Sequence, residues 1–139
     1  MITTPEELIK NHEGFKSRVY KDSLGFLTGG YGHAFLDGSK LTKEICDLLF
    51  IEDFTQAIND YEQLGLVLDD VRRAACLDLL FNLGLTKLLR FKNFLAYMRS
   101  SSWESAAAAL ENSLWFKQVA RRGPRICSLI RSGKWEALG

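Results

Sequence analysis

Residues 69–84 read DDVRRAACLDLLFNLG, and this stretch decides the fold that the sequence predicts. Asp69 is a typical helix N-cap, and Gly84 is a typical residue just past a helix end. Between them, residues 71–83 are apolar on almost every side of a helix, which is typical of a helix buried on all faces. The sequence therefore predicts a helical protein built around this central helix.

Further helices are predicted on both sides of the central one. The run Thr4-Pro5-Glu6-Glu7 combines an N-cap, a proline in the first turn and a capping-box glutamate, so a short helix should run to about Glu13. Because proline inside a helix removes a hydrogen bond, Gly123-Pro124 predicts a late start or a distortion of the last helix. The other predicted helices are a long one opening at Thr42 and three at roughly 87–98, 102–112 and 124–132.

Residues 15–35 follow a different pattern, which indicates strands. Val19-Tyr20 and Phe26-Leu27 flank the turn residues 23–25, as in a β-hairpin. The predicted fold class is therefore α+β and mostly helical. We expect one domain over residues 1–139, with a small β-containing lobe at about 14–60 and a helical lobe formed by 1–13 and 61–139.

Composition excludes several function classes. The chain has 139 residues and a net charge of only +1, so overall charge favours neither nucleic-acid binding nor membrane adhesion. No apolar stretch is long enough to span a membrane, and residues 1–12 lack the apolar run of a signal peptide. We expect a protein made in a cytoplasm, whose extracellular target is reached through another agent.

Charge and cysteines are unevenly placed along the chain. Residues 44–70 hold eight acidic residues and no Lys or Arg, whereas residues 117–134 hold six basic residues and no acidic one. The basic segment fits either attraction to an anionic polymer such as a cell wall or an ordinary solvated helix face. Cys46, Cys76 and Cys127 each lie among apolar residues, which predicts buried free thiols rather than disulfides or a metal site.

Two carboxylates near the N-terminus could carry chemistry. Glu13 lies at a helix end, and Asp22 lies at the rim of the predicted hairpin, with Thr28 on its second strand. A helix end facing a hairpin forms a cleft, and glycoside hydrolysis needs a cleft with two carboxyl groups. The same pattern also fits a solvated glutamate and a turn-forming aspartate.

The wider sequence resembles one known family. Residues 13–15 (EGF) and 20–33 (YKDSLGFLTGGYGH) closely resemble the active-site segment of the T-even phage lysozymes, glycoside hydrolase family 24. Residues 68–75 (LDDVRRAA) resemble the start of that family's central helix, and residues 115–135 resemble its C-terminal region. The resemblance is colinear over nearly the whole chain and includes the family's Glu, Asp and Thr spacing.

The resemblance implies a lysozyme-like fold of two lobes with a saccharide cleft between them. It implies that Glu13 is the general acid and that Asp22 and Thr28 position the attacking water. It also implies a muramidase that cuts the β-1,4 bond between N-acetylmuramic acid and N-acetylglucosamine of bacterial peptidoglycan, with no cofactor and no metal. A monomer is expected for the same reason.

Other residues receive roles from their position. Arg122 corresponds to an arginine that faces the catalytic glutamate in the family, where a positioning role is expected. Asp78 interrupts the buried helix and needs a partner, for which Arg122 is the candidate. Asn82 is expected to line the cleft and bind substrate, while Phe91 and Trp115 are expected in the core.

One structural ion pair follows from the resemblance. His33 and Asp53 match a histidine–aspartate pair in the family, which would fasten the β-lobe to the long helix. By contrast, His12 precedes Glu13 where the T-even enzyme has an acidic residue, and no function is assigned to it.

The expected reaction is inversion, because a water between Asp22 and the sugar needs space. Phe15 and Phe26 are expected to form an apolar wall that keeps Glu13 protonated. The expected setting is phage-mediated lysis of a bacterium, with release through a holin. Two alternatives remain open: a lytic transglycosylase, which needs one glutamate and no positioned water, and a non-catalytic wall-binding phage structural protein.

Overall fold

The structure is a computed structural model that describes residues 1–21, 27–34 and 40–139, without the side chains of 17–20, 27 and 34. The strands are β1 (Lys16–Lys21), β2 (Leu27–Gly30) and β3 (His33–Ala34). The helices within these residues are α1 (Pro5–Glu13), α2 (Lys43–Leu64), α3 (Asp70–Leu83), α4 (Leu85–Leu88), α5 (Lys92–Arg99), α6 (Trp103–Glu111), α7 (Leu114–Gln118) and α8 (Arg122–Ser132), followed by a short 3-10 helix (Trp135–Leu138). The prediction of a mostly helical lysozyme-like fold is confirmed.

Helix α3 lies at the centre of the molecule, as its sequence predicts. The Asp69 side chain accepts a hydrogen bond from the backbone N–H of Arg72, which caps the helix, and Gly84 ends it with a positive φ of 82°. All seven residues from 74 to 80 are buried, because α1, α2 and α8 pack against this helix. The core therefore surrounds α3.

The three strands form an antiparallel sheet in the order β1-β2-β3. Thr28 on β2 pairs with Tyr20 on β1 and with Ala34 on β3. The sheet packs on α2 so closely that a Cβ at Gly30 would lie 3.0 Å from the sulfur of Cys46. The turn after β2 lies at the end of α1, because a Cβ at Gly32 would meet the Glu13 side chain.

Two predicted helices have different bounds. The helix expected at 87–98 is divided into α4 and α5, because residues 89–91 turn through shorter i→i−3 hydrogen bonds from Arg90 to Lys87 and from Phe91 to Leu88. The last helix does not begin late, since Gly123-Pro124 lies inside the first turn of α8. The first N–H groups of a helix have no intrahelical acceptor, so a proline there costs no hydrogen bond.

Within the ranges that are described, no helix is both long and apolar enough to cross a membrane.

Candidate active site

Glu13 lies at the end of α1, where three parts of the chain meet. Thr4 caps α1 by accepting from the backbone N–H of Glu7, and Leu8 and Ile9 are buried beneath the helix. The Glu13 side chain is only 14 % exposed. Its Oε2 lies so close to the turn between β2 and β3 that a Cβ at Gly32 would be 2.6 Å away. The carboxyl group is thus held between a helix end and the backbone of a tight turn.

Arg122 contacts the other carboxyl oxygen of Glu13. Its Nη2 donates to Glu13 Oε1 at 2.8 Å, and its Nε lies 2.9 Å from Asp78 Oδ1. The second contact is an ion pair without the alignment of a hydrogen bond. The structure therefore brings Arg122 to both carboxylates with which the sequence associates it, although α8 begins at this residue.

Asp78 is completely buried and has a second partner, His12. Asp78 Oδ2 lies 2.6 Å from His12 Nδ1, and Arg125 Nε donates to His12 Nε2 at 3.0 Å. Because Nε2 accepts this bond, it carries no proton, and the imidazole proton is assigned to Nδ1, which donates to Asp78. One continuous chain of polar contacts, called here the Glu13 network, joins Glu13, Arg122, Asp78, His12 and Arg125.

The sequence interpretation left two members of this network without a role, namely His12 and Arg125. A signal for His12 exists in the sequence. Asp78 is a charged residue inside an apolar helix and requires compensation, and His12 is adjacent to Glu13 on a helix that packs against α3. The pairing itself depends on the packing of α1, α3 and α8.

Of the two residues expected to position the water, Thr28 lies among the described residues and Asp22 does not. Thr28 is buried in the central strand of the sheet. Asp22 follows Lys21, the last residue of β1, and lies outside the described residues. The distance between the Glu13 and Asp22 carboxyl groups therefore stays a prediction. The catalytic roles of these residues stay predictions.

His33 and Asp53, which the resemblance pairs, lie within hydrogen-bonding distance of each other. Nδ1 of His33 on β3 lies 2.6 Å from Oδ2 of Asp53 on α2, and both side chains are about 30 % exposed (29 % and 32 %). The pair lines a cleft of about 270 Å³ that also includes Gly32 and Phe81. This cleft therefore adjoins the Glu13 carboxyl through Gly32.

Asn82 lies near the end of α3, where its Oδ1 accepts a hydrogen bond from the indole nitrogen of Trp115 at 2.8 Å. Trp115 is buried, in line with its expected core position. Phe91 is half-buried and lines a groove of about 510 Å³ between α5 and α6, together with Arg90 and Tyr97. Asn82 thus supports a core tryptophan, and its contact with substrate stays a prediction.

The apolar wall expected beside Glu13 is described only in part. Phe15 is 41 % exposed, and its ring centroid lies 5.4 Å from that of Tyr31. Lys43 Nζ lies 5.5 Å from the centre of the Phe15 ring, and Phe26 lies outside the described residues. In the described part, Phe15 therefore packs on an aromatic and a lysine neighbour.

Comparison with known proteins identifies relatives over almost the whole chain. The family model described as phage lysozyme matches residues 10–135. The chain is 26 % identical to probable T4-type lysozyme 1 of Dictyostelium discoideum, with 99 % of each chain aligned, and 29 % identical to probable T4-type lysozyme 2, with 96 % of each aligned. It is also 25 % identical to the pre-baseplate central spike protein Gp5 of Enterobacteria phage T4; 96 % of this chain aligns, covering 28 % of that protein.

Proposed function

We infer that this chain, which belongs to the phage lysozyme family and is a glycoside hydrolase of the lysozyme type, cuts peptidoglycan as an inverting muramidase. The observation that carries this proposal is the placement of Glu13. Its carboxyl group is largely shielded from water, lies against the Gly32 turn and is held by Arg122. A general acid needs such a fixed and partly desolvated carboxyl group.

The proposed step begins with protonated Glu13. Its proton passes to the glycosidic oxygen as the bond from that oxygen to C1 of the N-acetylmuramic acid unit breaks. A water, held by ionised Asp22 and the Thr28 hydroxyl on the opposite face of the sugar, forms the new bond to C1 and loses its proton to Asp22. Because attack comes from the opposite face, the β-linked strand gives an α-configured product.

This geometry predicts a distance between the two carboxyl groups. A water between Asp22 and the sugar requires roughly 6.5–9.5 Å, whereas direct attack by Asp22 would require about 5–5.5 Å and retain configuration. NMR of the product at early times, before mutarotation, separates the two mechanisms. An initial α anomer supports inversion, and an initial β anomer excludes it.

Variants of the acid test the proposal directly. Glu13→Gln removes the transferable proton and should lower turnover on purified peptidoglycan by about 10²–10⁴-fold while the protein stays folded. Asp22→Asn should also slow the reaction severely. Glu6→Gln is a matched control, because Glu6 is exposed on the same helix. Wild-type turnover in Glu13→Gln would contradict the lysozyme mechanism.

Product mass separates the remaining alternatives. A lytic transglycosylase closes an anhydro ring, so its product is lighter by one water than the hydrolysis product. A wall-binding protein without activity would leave purified peptidoglycan intact in a clearing assay. We expect clearing and the hydrolysed product mass.

We further propose that the protein acts as a monomer in phage-mediated bacterial lysis, made in the host cytoplasm and released to the wall through a holin. The phage lysozyme family supports this setting. Relatives in Dictyostelium show that the family is not confined to phages. Expression in a bacterium with and without a holin tests the setting, since lysis should require both proteins.

A further inference from the structure

The most deeply buried carboxylate in the described part of the chain belongs to Asp78, which is 0 % exposed. An ionised carboxylate in such a place needs a compensating charge, and Arg122 supplies it at 2.9 Å. The same guanidinium donates to Glu13 at 2.8 Å. One cation is therefore shared between two carboxylates.

This sharing bears on a difficulty in the proposed reaction. A guanidinium in contact with a carboxyl group favours the ionised form of that group. Glu13, however, must carry a proton in order to deliver it. A negative charge on the far side of Arg122 opposes the effect, because it attracts the same cation and repels a second negative charge at Glu13.

His12 holds the Asp78 carboxylate in this orientation. Its Nδ1–H points to Asp78 Oδ2, and its Nε2 is occupied by the N–H of Arg125. A second proton on His12, at Nε2, would face the Arg125 guanidinium and displace this hydrogen bond. Burial, followed by the neighbouring charge of Arg121, lowers the pKa of Arg125, while the charge of Asp78 raises it.

We propose that Asp78 is a positioning residue of the reaction, which holds the Arg122 guanidinium and offsets its charge so that Glu13 can carry the proton it delivers. The inference rests on the proposed function, and it deepens that function by naming a residue that acts on the acid through another side chain. Asp78 itself does not touch the reacting atoms.

Each element that packs around Glu13 contributes charged or polar groups. Helix α1 contributes His12 and also Lys10, whose Nζ lies over the rings of Tyr31 and Phe50. Helix α3 contributes Asp78, and the β2–β3 turn contributes the backbone at Gly32. Helix α8 contributes Arg122 and Arg125. Asp78 is the one carboxylate that the described residues place on Arg122 besides Glu13.

The test is the pH dependence of Asp78→Asn. The kcat of an enzyme with a general acid falls as pH rises through the pKa of that acid in the substrate complex. Without the Asp78 charge, the effect of the Arg122 cation on Glu13 is no longer offset from that side, so this fall should occur at a pH lower by about one unit or more. At acidic pH, kcat should approach the wild-type value, whereas a merely structural defect would lower kcat equally at every pH.

A second readout does not depend on activity. NMR titration of the Glu13 carboxyl carbon should show a lower pKa in Asp78→Asn than in wild type. Asp69→Asn is the matched control, because it makes the same chemical change on the N-cap of α3, away from Glu13, and should move neither readout. An unchanged Glu13 pKa in folded Asp78→Asn would overturn the inference. If the wild-type protein is inactive on peptidoglycan, a lowered Glu13 pKa in the variant still supports the inference, and only the proposed function is contradicted.

The charge-balanced double variant Asp78→Asn with Arg122→Gln keeps the test available if the single variant does not fold. It removes both members of the buried pair, which proteins tolerate better than the loss of one. With the cation and its offset both absent, the Glu13 pKa should lie at or above the wild-type value. A value clearly below wild type would contradict the inference.

Discussion

Gly32 occupies a position at which any side chain would collide with the proposed acid. Its φ is +89°, a region that residues with a Cβ rarely adopt. A Cβ there would also lie 2.6 Å from Oε2 and 2.7 Å from Cδ of Glu13. At the scale of single residues, this glycine therefore sets how closely the sheet approaches Glu13.

Gly32→Ala should damage activity more than stability. The added methyl must displace the Glu13 carboxyl, and misplacement of a reacting group by about 1 Å can cost roughly 10²-fold in rate. Gly65→Ala is the control, since Gly65 also has a positive φ of 66° but its Cβ would meet nothing within 4 Å. Both variants should lose about 1 kcal/mol or more of unfolding free energy, and only Gly32→Ala should lose turnover. Full turnover in Gly32→Ala would contradict this role of Gly32.

At the scale of the helices, Arg72 joins α3 to the end of α8. Its Nε donates to the backbone oxygen of Ile130 at 2.6 Å, and its Nη2 donates to that of Arg131 at 3.0 Å. The last carbonyl groups of a helix have no intrahelical donor, so these bonds satisfy them. The guanidinium also lies 4.1 Å from the ring centre of Trp103. These contacts fasten the C-terminal end of α8 to α3.

Arg72→Lys should lower the unfolding free energy by about 1.5–3 kcal/mol, the usual contribution of hydrogen bonds to a charged group. A lysine keeps the charge but cannot donate in two directions from a planar group. Urea unfolding measures the change as a lower midpoint with an unchanged slope. Arg73→Lys serves as the control, because Arg73 contributes a cation–π contact with Tyr61 and should change stability by less than 1 kcal/mol. Equal effects of the two substitutions would contradict the proposed joint.

At the scale of the whole molecule, three free cysteines lie buried on three different helices. Cys46 lies on α2, Cys76 on α3 and Cys127 on α8, and all three are buried. Burial raises the pKa of Cys76 and that of Cys127 from 9.0 to about 12. The prediction of buried thiols is confirmed for all three residues.

The buried thiols should lower the stability of the protein at alkaline pH. They should also react with a thiol reagent only when the protein unfolds. An unfolded cysteine ionises near pH 9, whereas folded Cys76 keeps its proton to about pH 12. The unfolded state thus binds fewer protons in this range, and stability should fall as pH rises from about 9 towards 12. Labelling with a thiol reagent at neutral pH should follow global unfolding for all three residues. Cys76→Ala should show a shallower alkaline loss, and an identical pH dependence would contradict this assignment.

Local signals in the sequence were sufficient for the elements nearest to the site. Thr4-Pro5 predicted the start of α1, and Asp69 and Gly84 predicted the ends of α3. Each such signal works within one helical turn, since a cap bonds to a backbone group three or four residues away. Glu13, Asp22 and Thr28 likewise lie within one segment of sixteen residues, so the family resemblance does not depend on any tertiary contact.

The Glu13 network, by contrast, was decided by tertiary structure. His12 and Asp78 are separated by 66 positions in the chain, and Glu13 and Arg122 by 109. The sequence shows that Asp78 needs a partner, but the choice of His12 together with Arg122 follows from how α1 and α8 pack on α3. The structure also divides the predicted helix at 87–98 into α4 and α5, and it begins α8 at Arg122, so that Pro124 lies in the first turn of that helix. Contacts of this kind depend on the shapes of surfaces that meet only when the chain has folded, which no local pattern encodes.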